Sequence, residues 1–202
     1  MSAQTPSVQT LREVAGLGTT PARLQDSALI MVDLQNTYCE GVMRLKGVEE
    51  ALVQARRVLD RARELGRPVI HIRHDAGIGS PYDVTAPIGQ IADAVAPVAG
   101  ETVITKLYPN SFIQTPLDDQ LKALGINSVV LTGFMTHACI NSTARGAFNL
   151  GYATTIVANA TATRDLPATG GGIVPAEQLQ AASLAAASDI FAVIAPGLEQ
   201  IG

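Results

Sequence analysis

Apolar and polar positions alternate in blocks along most of the chain. Ala28-Leu-Ile-Met-Val32 is a continuous apolar run that stops at Asp33. From Val48 to Leu65 the apolar residues recur at helical spacing, and Gly66 closes the segment. Pro68 to Arg73 reads as a second strand, 87–96 as a short helix, and Thr102 to Thr105 as a third strand ending before Lys106. A helix is expected from Thr115 to Leu124, stopped by Gly125, and a fourth strand from Ser128 to Leu131. The pattern continues with a helix from about Ala138 to Leu150, a strand from Ala153 to Ala158, a helix from Pro175 to Ala187 and a sixth strand from Ile190 to Ile194. Period-3.6 segments between short unbroken apolar runs predict amphipathic helices alternating with doubly covered strands. The fold class is therefore α/β, a three-layer α/β/α sandwich around a six-stranded, mainly parallel, Rossmann-like sheet. Residues 1–27 lack this rhythm and read as an N-terminal arm, with 28–202 as the domain; Leu11, Val14 and Leu17 give the arm an apolar edge.

In sheets of this kind ligands bind beyond the carboxyl ends of the strands, near the switch in strand order. That rule selects residues. Asp33 ends the first strand, His74 and Asp75 follow the second, Lys106 ends the third, and Cys139 follows the fourth within Leu131-Thr-Gly-Phe-Met-Thr-His-Ala-Cys139. A carboxylate, an imidazole, an ammonium and a thiol thus share one rim. Cys139 falls on the expected first turn of a helix, where unpaired N–H groups and the helix dipole favour thiolate, the reactive form. A cysteine nucleophile needs a base and a stabilised oxyanion. Asp33 suits the first role if burial raises its basicity, Lys106 suits charge balance, and backbone N–H groups at Cys139 and the turn before it suit the second.

Three ordered segments carry a resemblance: Leu29-Ile-Met-Val-Asp-Leu-Gln-Asn36, Lys106-Leu-Tyr-Pro-Asn-Ser-Phe112 and Leu131 to Cys139, with Ala160-Thr-Ala-Thr-Arg-Asp165 as a fourth. Over about residues 27–196 the chain resembles the isochorismatase-like cysteine hydrolases. The resemblance implies an Asp33–Lys106–Cys139 triad, an oxyanion hole from the N–H groups of Met135 and Cys139, a cis peptide between Phe134 and Met135, and hydrolysis of small-molecule amide, carbamoyl or lactam C–N bonds through a Cys139 thioester. Within the family, the nicotinamidase branch holds a metal through Asp-x-His. Strand two reads His71-Ile-Arg-His-Asp-Ala-Gly77 here, so no metal and no cofactor is expected. True isochorismatases cleave a vinyl ether by aspartic acid chemistry and lack the cysteine. Cys139 points instead to the amidase-like branch, similar to N-carbamoylsarcosine amidase. A non-catalytic binder on the same fold is the remaining alternative. The aspartate common after strand five is Asn159 here.

Other residues have two readings. Gln35 suits either orientation of substrate and aspartate or a plain loop amide. Tyr38, Phe112 and Phe134 suit a pocket wall or the core, and His74 a substrate contact or a loop. His71 reads as a core histidine, and His137 is poorly aimed for a Cys–His pair. Arg164 suits either a substrate carboxylate, gripped by two parallel N–H bonds, or a structural salt bridge. Gly170-Gly171-Gly172 suggests a lid; without a Lys-Ser/Thr partner it is no phosphate loop, and Leu34-Gln35-Asn36 is not the glycine turn of a dinucleotide site. Cys39 has no reactive setting, and with two cysteines and no CxxC neither a disulfide framework nor a zinc cage is indicated.

Composition narrows the partners. The net charge of −4 argues against nucleic acid. At 47% hydrophobic and 16% charged, the chain is globular rather than disordered. No apolar stretch approaches a membrane span and the first twenty residues lack a signal layout, so the cytoplasm is expected. The partner is then a small-molecule substrate, with 74–87 and 107–115 as specificity loops. The resemblance implies a homodimer or homotetramer.

Overall fold

A computed structural model describes residues 8–202. The first seven residues of the expected arm lie outside the described residues. The strands of the main sheet are β1 (Ala28–Val32), β2 (Val69–His74), β3 (Thr102–Lys106), β4 (Ser128–Phe134), β5 (Ala153–Ala162) and β8 (Val193–Ala195). Their order is β3-β2-β1-β4-β5-β8, and every pairing is parallel. The helices are α1 (Leu11–Val14), α2 (Val48–Glu64), α3 (Leu117–Ala123), α4 (Asn141–Asn149) and α5 (Ala176–Ser188). A two-stranded antiparallel hairpin, β6 (Leu166–Pro167) and β7 (Ile173–Val174), carries the glycine run at its tip.

Each layer follows from the sequence pattern. In α2 the residues Val48, Ala51, Leu52, Ala55, Val58, Leu59 and Ala62 are buried, one stripe at i, i+3, i+4 and i+7. Glu49 and Glu50 open that helix and Arg61 and Arg63 close it, which suits its dipole. The stripe packs against Leu29, Met31 and Val130 on one sheet face. Ile30, Val32, Val129 and Leu131 point the other way and pack with Leu117, Leu121, Ile140 and Ala144. Each Val, Leu, Ile or Met side chain buried in these two cores contributes about 1.5–3 kcal/mol, which fixes strand register strongly. Within the main sheet burial is least complete in β3, where it alternates along the strand. That strand is an edge, and Val103 is 40% exposed.

Boundaries differ from the sequence reading where tertiary pairing extends a strand. β4 runs on to Phe134 because Gly133 and Phe134 pair with Thr161 and Ala162. β5 continues past a bulge, since its register jumps from Leu131↔Ile156 to Gly133↔Thr161. Asn159 lies inside this bulge, its N–H bonded to Pro196 O. The helix expected at 87–96 is instead two 3₁₀ turns, Pro87–Gly89 and Asp93–Val95. The arm residues 10–24 lie on the chain's own C-terminal half: the Arg12 N–H donates to Asp189 O, Ala22 N–H to Thr155 Oγ1 and Leu24 N–H to Ile201 O. Leu11, Val14 and Leu17 remain exposed there. Among the described residues no helix is long and apolar enough to cross a membrane.

Candidate active site

Strand order reverses between β1 and β4, so the crevice beyond their ends is the switch point of the sheet. Asp33 leaves β1 there with φ of 50°, a left-handed conformation uncommon for a residue with a side chain. Cys139 leaves β4 on the other side. The two strands close up tightly at this end. Gly133 has φ of 119°, and a Cβ on it would stand 1.9 Å from Val32 O. Only glycine permits that approach.

Lys106 arrives from the sheet edge. Strands spaced about 4.8 Å apart put β3 roughly 10 Å from β1, and the lysine stem crosses the end of β2 to close the gap. Its Nζ stands 2.7 Å from Asp33 Oδ2, 3.4 Å from Cys139 Sγ and 3.3 Å from His74 Nδ1. Asp33 is 0%, Lys106 1% and Cys139 7% exposed, so the charged pair is dry while the thiol keeps a narrow opening. Neither Asp33 oxygen accepts a well-aimed hydrogen bond from any other protein donor. Burial raises the Asp33 carboxyl, against the lowering effect of Lys106 and of the nearby thiol.

The thiol itself departs from expectation. A helix start predicts thiolate, but burial and the Asp33 charge push the Cys139 thiol up to about 12 despite Lys106. The backbone is also not a simple helix start. The peptide between Phe134 and Met135 is cis, as the motif implies, and Thr136–Ile140 form one turn of π-helix before α4. Cys139 thus sits inside a wide turn, and desolvation beside a carboxylate outweighs the helix dipole.

The remaining predicted residues divide. Tyr38 is buried, and its ring meets those of Phe134 and Tyr82 edge-on, with centroids 5.7 and 5.8 Å away. The His74 ring meets Tyr82 at 5.1 Å. Burial and then the Lys106 charge lower the His74 pKa, so a neutral imidazole faces the ammonium. Phe134 is fully buried and backs Tyr38 rather than the opening. Phe112 is not in this cluster. Its ring stacks on Tyr152 over the α3–α4 core, because Ser111 is tied to Thr143 Oγ1 by both its N–H and its hydroxyl. The Gln35 side-chain amide is taken up by backbone: it donates to His74 O and Gly89 O and accepts from His74 N–H. It clamps the loop after β2 to the loop after β1.

His71 is a core histidine held by Glu101 at 2.9 Å, and His137 Nδ1 meets Thr163 Oγ1 rather than the thiol. Among the described residues no group of three or more His, Cys, Asp and Glu stands where a metal could be held. Tyr82 escaped individual notice in the sequence. Its signal was an aromatic side chain within a Gly/Pro-rich loop that follows a strand end. Asp83 holds that loop by accepting from the N–H groups of Gly79 and Thr85. A cleft of about 360 Å³ lies away from the thiol, between the starts of α2 and α5, and Asn159 lines it.

A parallel sheet with these residues at its switch point defines an isochorismatase-fold hydrolase. The chain belongs to the isochorismatase family: residues 27–196 match the model of the isochorismatase domain. It is 30% identical to a secreted isochorismatase effector of Verticillium dahliae over 93% of this chain and 96% of that one. It is 35% identical to the maleamate amidohydrolase of Pseudomonas putida over 64% of this chain and 69% of that one. The crystal structure of an isochorismatase from Pseudomonas putida superposes with a TM-score of 0.91, at 38% identity, covering 94% of this chain and 97% of that one.

Proposed function

We propose that this chain is a cysteine amidohydrolase that cleaves a small-molecule C–N bond through a thioester on Cys139. The observation that carries this reading is Lys106 Nζ within 3.4 Å of Cys139 Sγ and 2.7 Å of Asp33 Oδ2, all three groups shielded from bulk water. The thiol rests as thiol. Asp33, made more basic by burial, takes its proton as sulfur attacks the carbonyl carbon, and the Lys106 ammonium balances the negative charge that moves between them. The N–H groups of Met135 and Cys139 receive the oxyanion. As the C–N bond breaks, the Asp33 proton passes to the departing amine. Water then adds to the thioester with Asp33 again as base, which releases the acid and restores the thiol.

The resemblance to an amidohydrolase supports the bond type, and the narrow opening supports a small substrate. A second reading has its own support. Asp33 is buried and its carboxyl raised, as aspartic acid chemistry on a vinyl ether requires, and one relative is named an isochorismatase effector. A turnover screen of small amides, ureido acids and lactams, read by released ammonia or amine, separates them with Cys139→Ala as the blank. Loss of all amide turnover in the variant supports the thioester route. Turnover that survives loss of the thiol sinks it in favour of acid chemistry by Asp33.

A further inference from the structure

The Lys106 ammonium carries three N–H groups and has three acceptors within reach. Asp33 Oδ2, at 2.7 Å, is its ion-pair partner; Cys139 Sγ at 3.4 Å and His74 Nδ1 at 3.3 Å are its hydrogen-bond acceptors. Two of the three change charge in the proposed reaction, because the thiol proton passes from Cys139 to Asp33 and back. His74 alone stays the same throughout. A buried ammonium whose acceptors exchange charge needs one fixed partner to keep its place.

The imidazole is placed for that part. His74 ends β2 and Lys106 ends β3, and the two are register partners, so their side chains leave the sheet on the same face. The imidazole therefore lies along the path of the lysine stem from the edge strand to β1. Its backbone is held on both sides by one side chain. The His74 N–H donates to Gln35 Oε1 at 2.8 Å, and the His74 carbonyl accepts from Gln35 Nε2 at 2.9 Å. Gln35 is buried and stands two residues after Asp33, which ties the base and the lysine's partner to one loop. The Tyr82 ring meets the imidazole edge-on, with centroids 5.1 Å apart, and limits its rotation. The Asp75 carboxylate next in the chain is turned to the Gly77 N–H at 2.8 Å. An ammonium can only donate, so Nδ1 faces it as a bare lone pair and the imidazole proton sits on Nε2.

We propose that His74 is a positioning residue: its bare Nδ1 holds the Lys106 ammonium between Asp33 and Cys139, and Gln35 presets the imidazole for that contact. The contact stands on the geometry alone; its effect on turnover rests on the hydrolase reading. His74 acts through Lys106 and takes no proton in the reaction.

The test compares wild type with two variants, with melting temperature as the check on folding. His74→Phe keeps a ring beside Tyr82 and removes the acceptor. His74→Asn removes the ring and keeps an acceptor, its Oδ1, close to the place of Nδ1. The first readout is solvent exchange of the Lys106 ammonium protons, followed by proton–nitrogen NMR on the substrate-free protein. The other lysines, Lys46 and Lys122, are exposed and exchange fast. His74→Phe speeds Lys106 exchange at least about tenfold, the scale of one hydrogen bond to a charged group, while His74→Asn stays within about threefold of wild type. The second readout is turnover of an amide from the screen. In His74→Phe kcat falls at least about tenfold with KM changed less than about threefold, and His74→Asn keeps the larger share of activity. A ring that merely fills space ranks the two variants the other way. His74→Leu takes the place of His74→Phe if the latter does not fold, and the imidazole nitrogens of wild type, read at neutral pH, show Nδ1 without a proton. The proposal is overturned if Nδ1 carries the proton, if loss of the acceptor leaves Lys106 exchange at the wild-type rate, or if His74→Phe is the more active of the two variants. Exchange and tautomer are read without turnover. If both behave as expected while wild type hydrolyses no amide, the hydrolase reading falls alone.

Discussion

Lys106 Nζ stands 2.7 Å from Asp33 Oδ2, and neither side chain is exposed to solvent. The pair spans three strands of the sheet, from the edge strand β3 to the central β1. Two charges in such a place are tolerable only together. Lys106→Met is therefore expected to abolish turnover and to destabilise the fold by about 3–5 kcal/mol, because Asp33 is left buried and unpaired. The double variant Asp33→Asn/Lys106→Met should recover part of that stability while remaining inactive. Chemical denaturation checks it; losses that simply add would remove the pair as a structural unit.

Protonation of Asp33 should set the acid limb of activity. Burial holds its carboxyl above the ordinary 3.8, and the reaction needs the carboxylate to receive the thiol proton. As pH falls through that raised value the base is lost, so kcat/KM should decline at a pH above 3.8. A profile that stays flat down to 3.8 contradicts a burial-raised base.

The thiol should be quiet in the free protein. With Cys139 pushed up to about 12, almost none of it is thiolate at pH 7. Iodoacetamide should label it more slowly than a free cysteine at neutral pH, at a rate still climbing past pH 9. Peptide mass mapping follows Cys139 separately from Cys39. Rapid neutral labelling of Cys139 would mean a resting thiolate and restore the expectation drawn from the helix start.

Away from the site, Glu101 ties β3 to α2. Burial alone would raise its carboxyl, but two bonds from Arg63, one from the Val98 N–H and one from His71 outweigh burial and hold it at about 2. The folded value lies below the ordinary 4.5, so the cluster's stabilisation is present above about pH 4.5 and fades as pH falls toward 2. Glu101→Gln should cost about 1–3 kcal/mol at pH 7 and flatten the acid limb of stability in that window. Thermal melts from pH 7 to 2 check it; parallel curves for the two proteins would refute the assignment.

Gly133 makes the sharpest demand of the backbone. A methyl group there would meet Val32 O at 1.9 Å with φ of 119°. Gly133→Ala should destabilise by more than about 3 kcal/mol, since both space and conformation oppose it. Equilibrium unfolding checks this, and a change under about 1 kcal/mol would show that β1 and β4 can separate freely.

How much of this was legible in the sequence depends on range. The apolar runs gave the inner strands because those are buried on both faces, and rim placement gave Asp33, Lys106 and Cys139 because strand ends need no tertiary detail. Side-chain partners were not legible. Nothing in the order of residues says that Gln35 clamps His74 and Gly89, or that Phe112 turns away to Tyr152. The thiol's state was misread for a similar reason: helix position is local, while desolvation and the Asp33 charge come from distant segments. The extension of β5 to Ala162 escaped because its bulge interrupts the pattern.

The central claim is a covalent thioester on Cys139. Its most direct measurement is intact-protein and peptide mass spectrometry on enzyme acid-quenched during turnover of an amide from the screen. The account predicts an acyl adduct on the peptide containing Cys139, of the mass of the substrate less its amine, present in wild type and absent from Cys139→Ala. If Cys139→Ala, free of any adduct, hydrolyses the same amide at the wild-type rate, the claim is wrong.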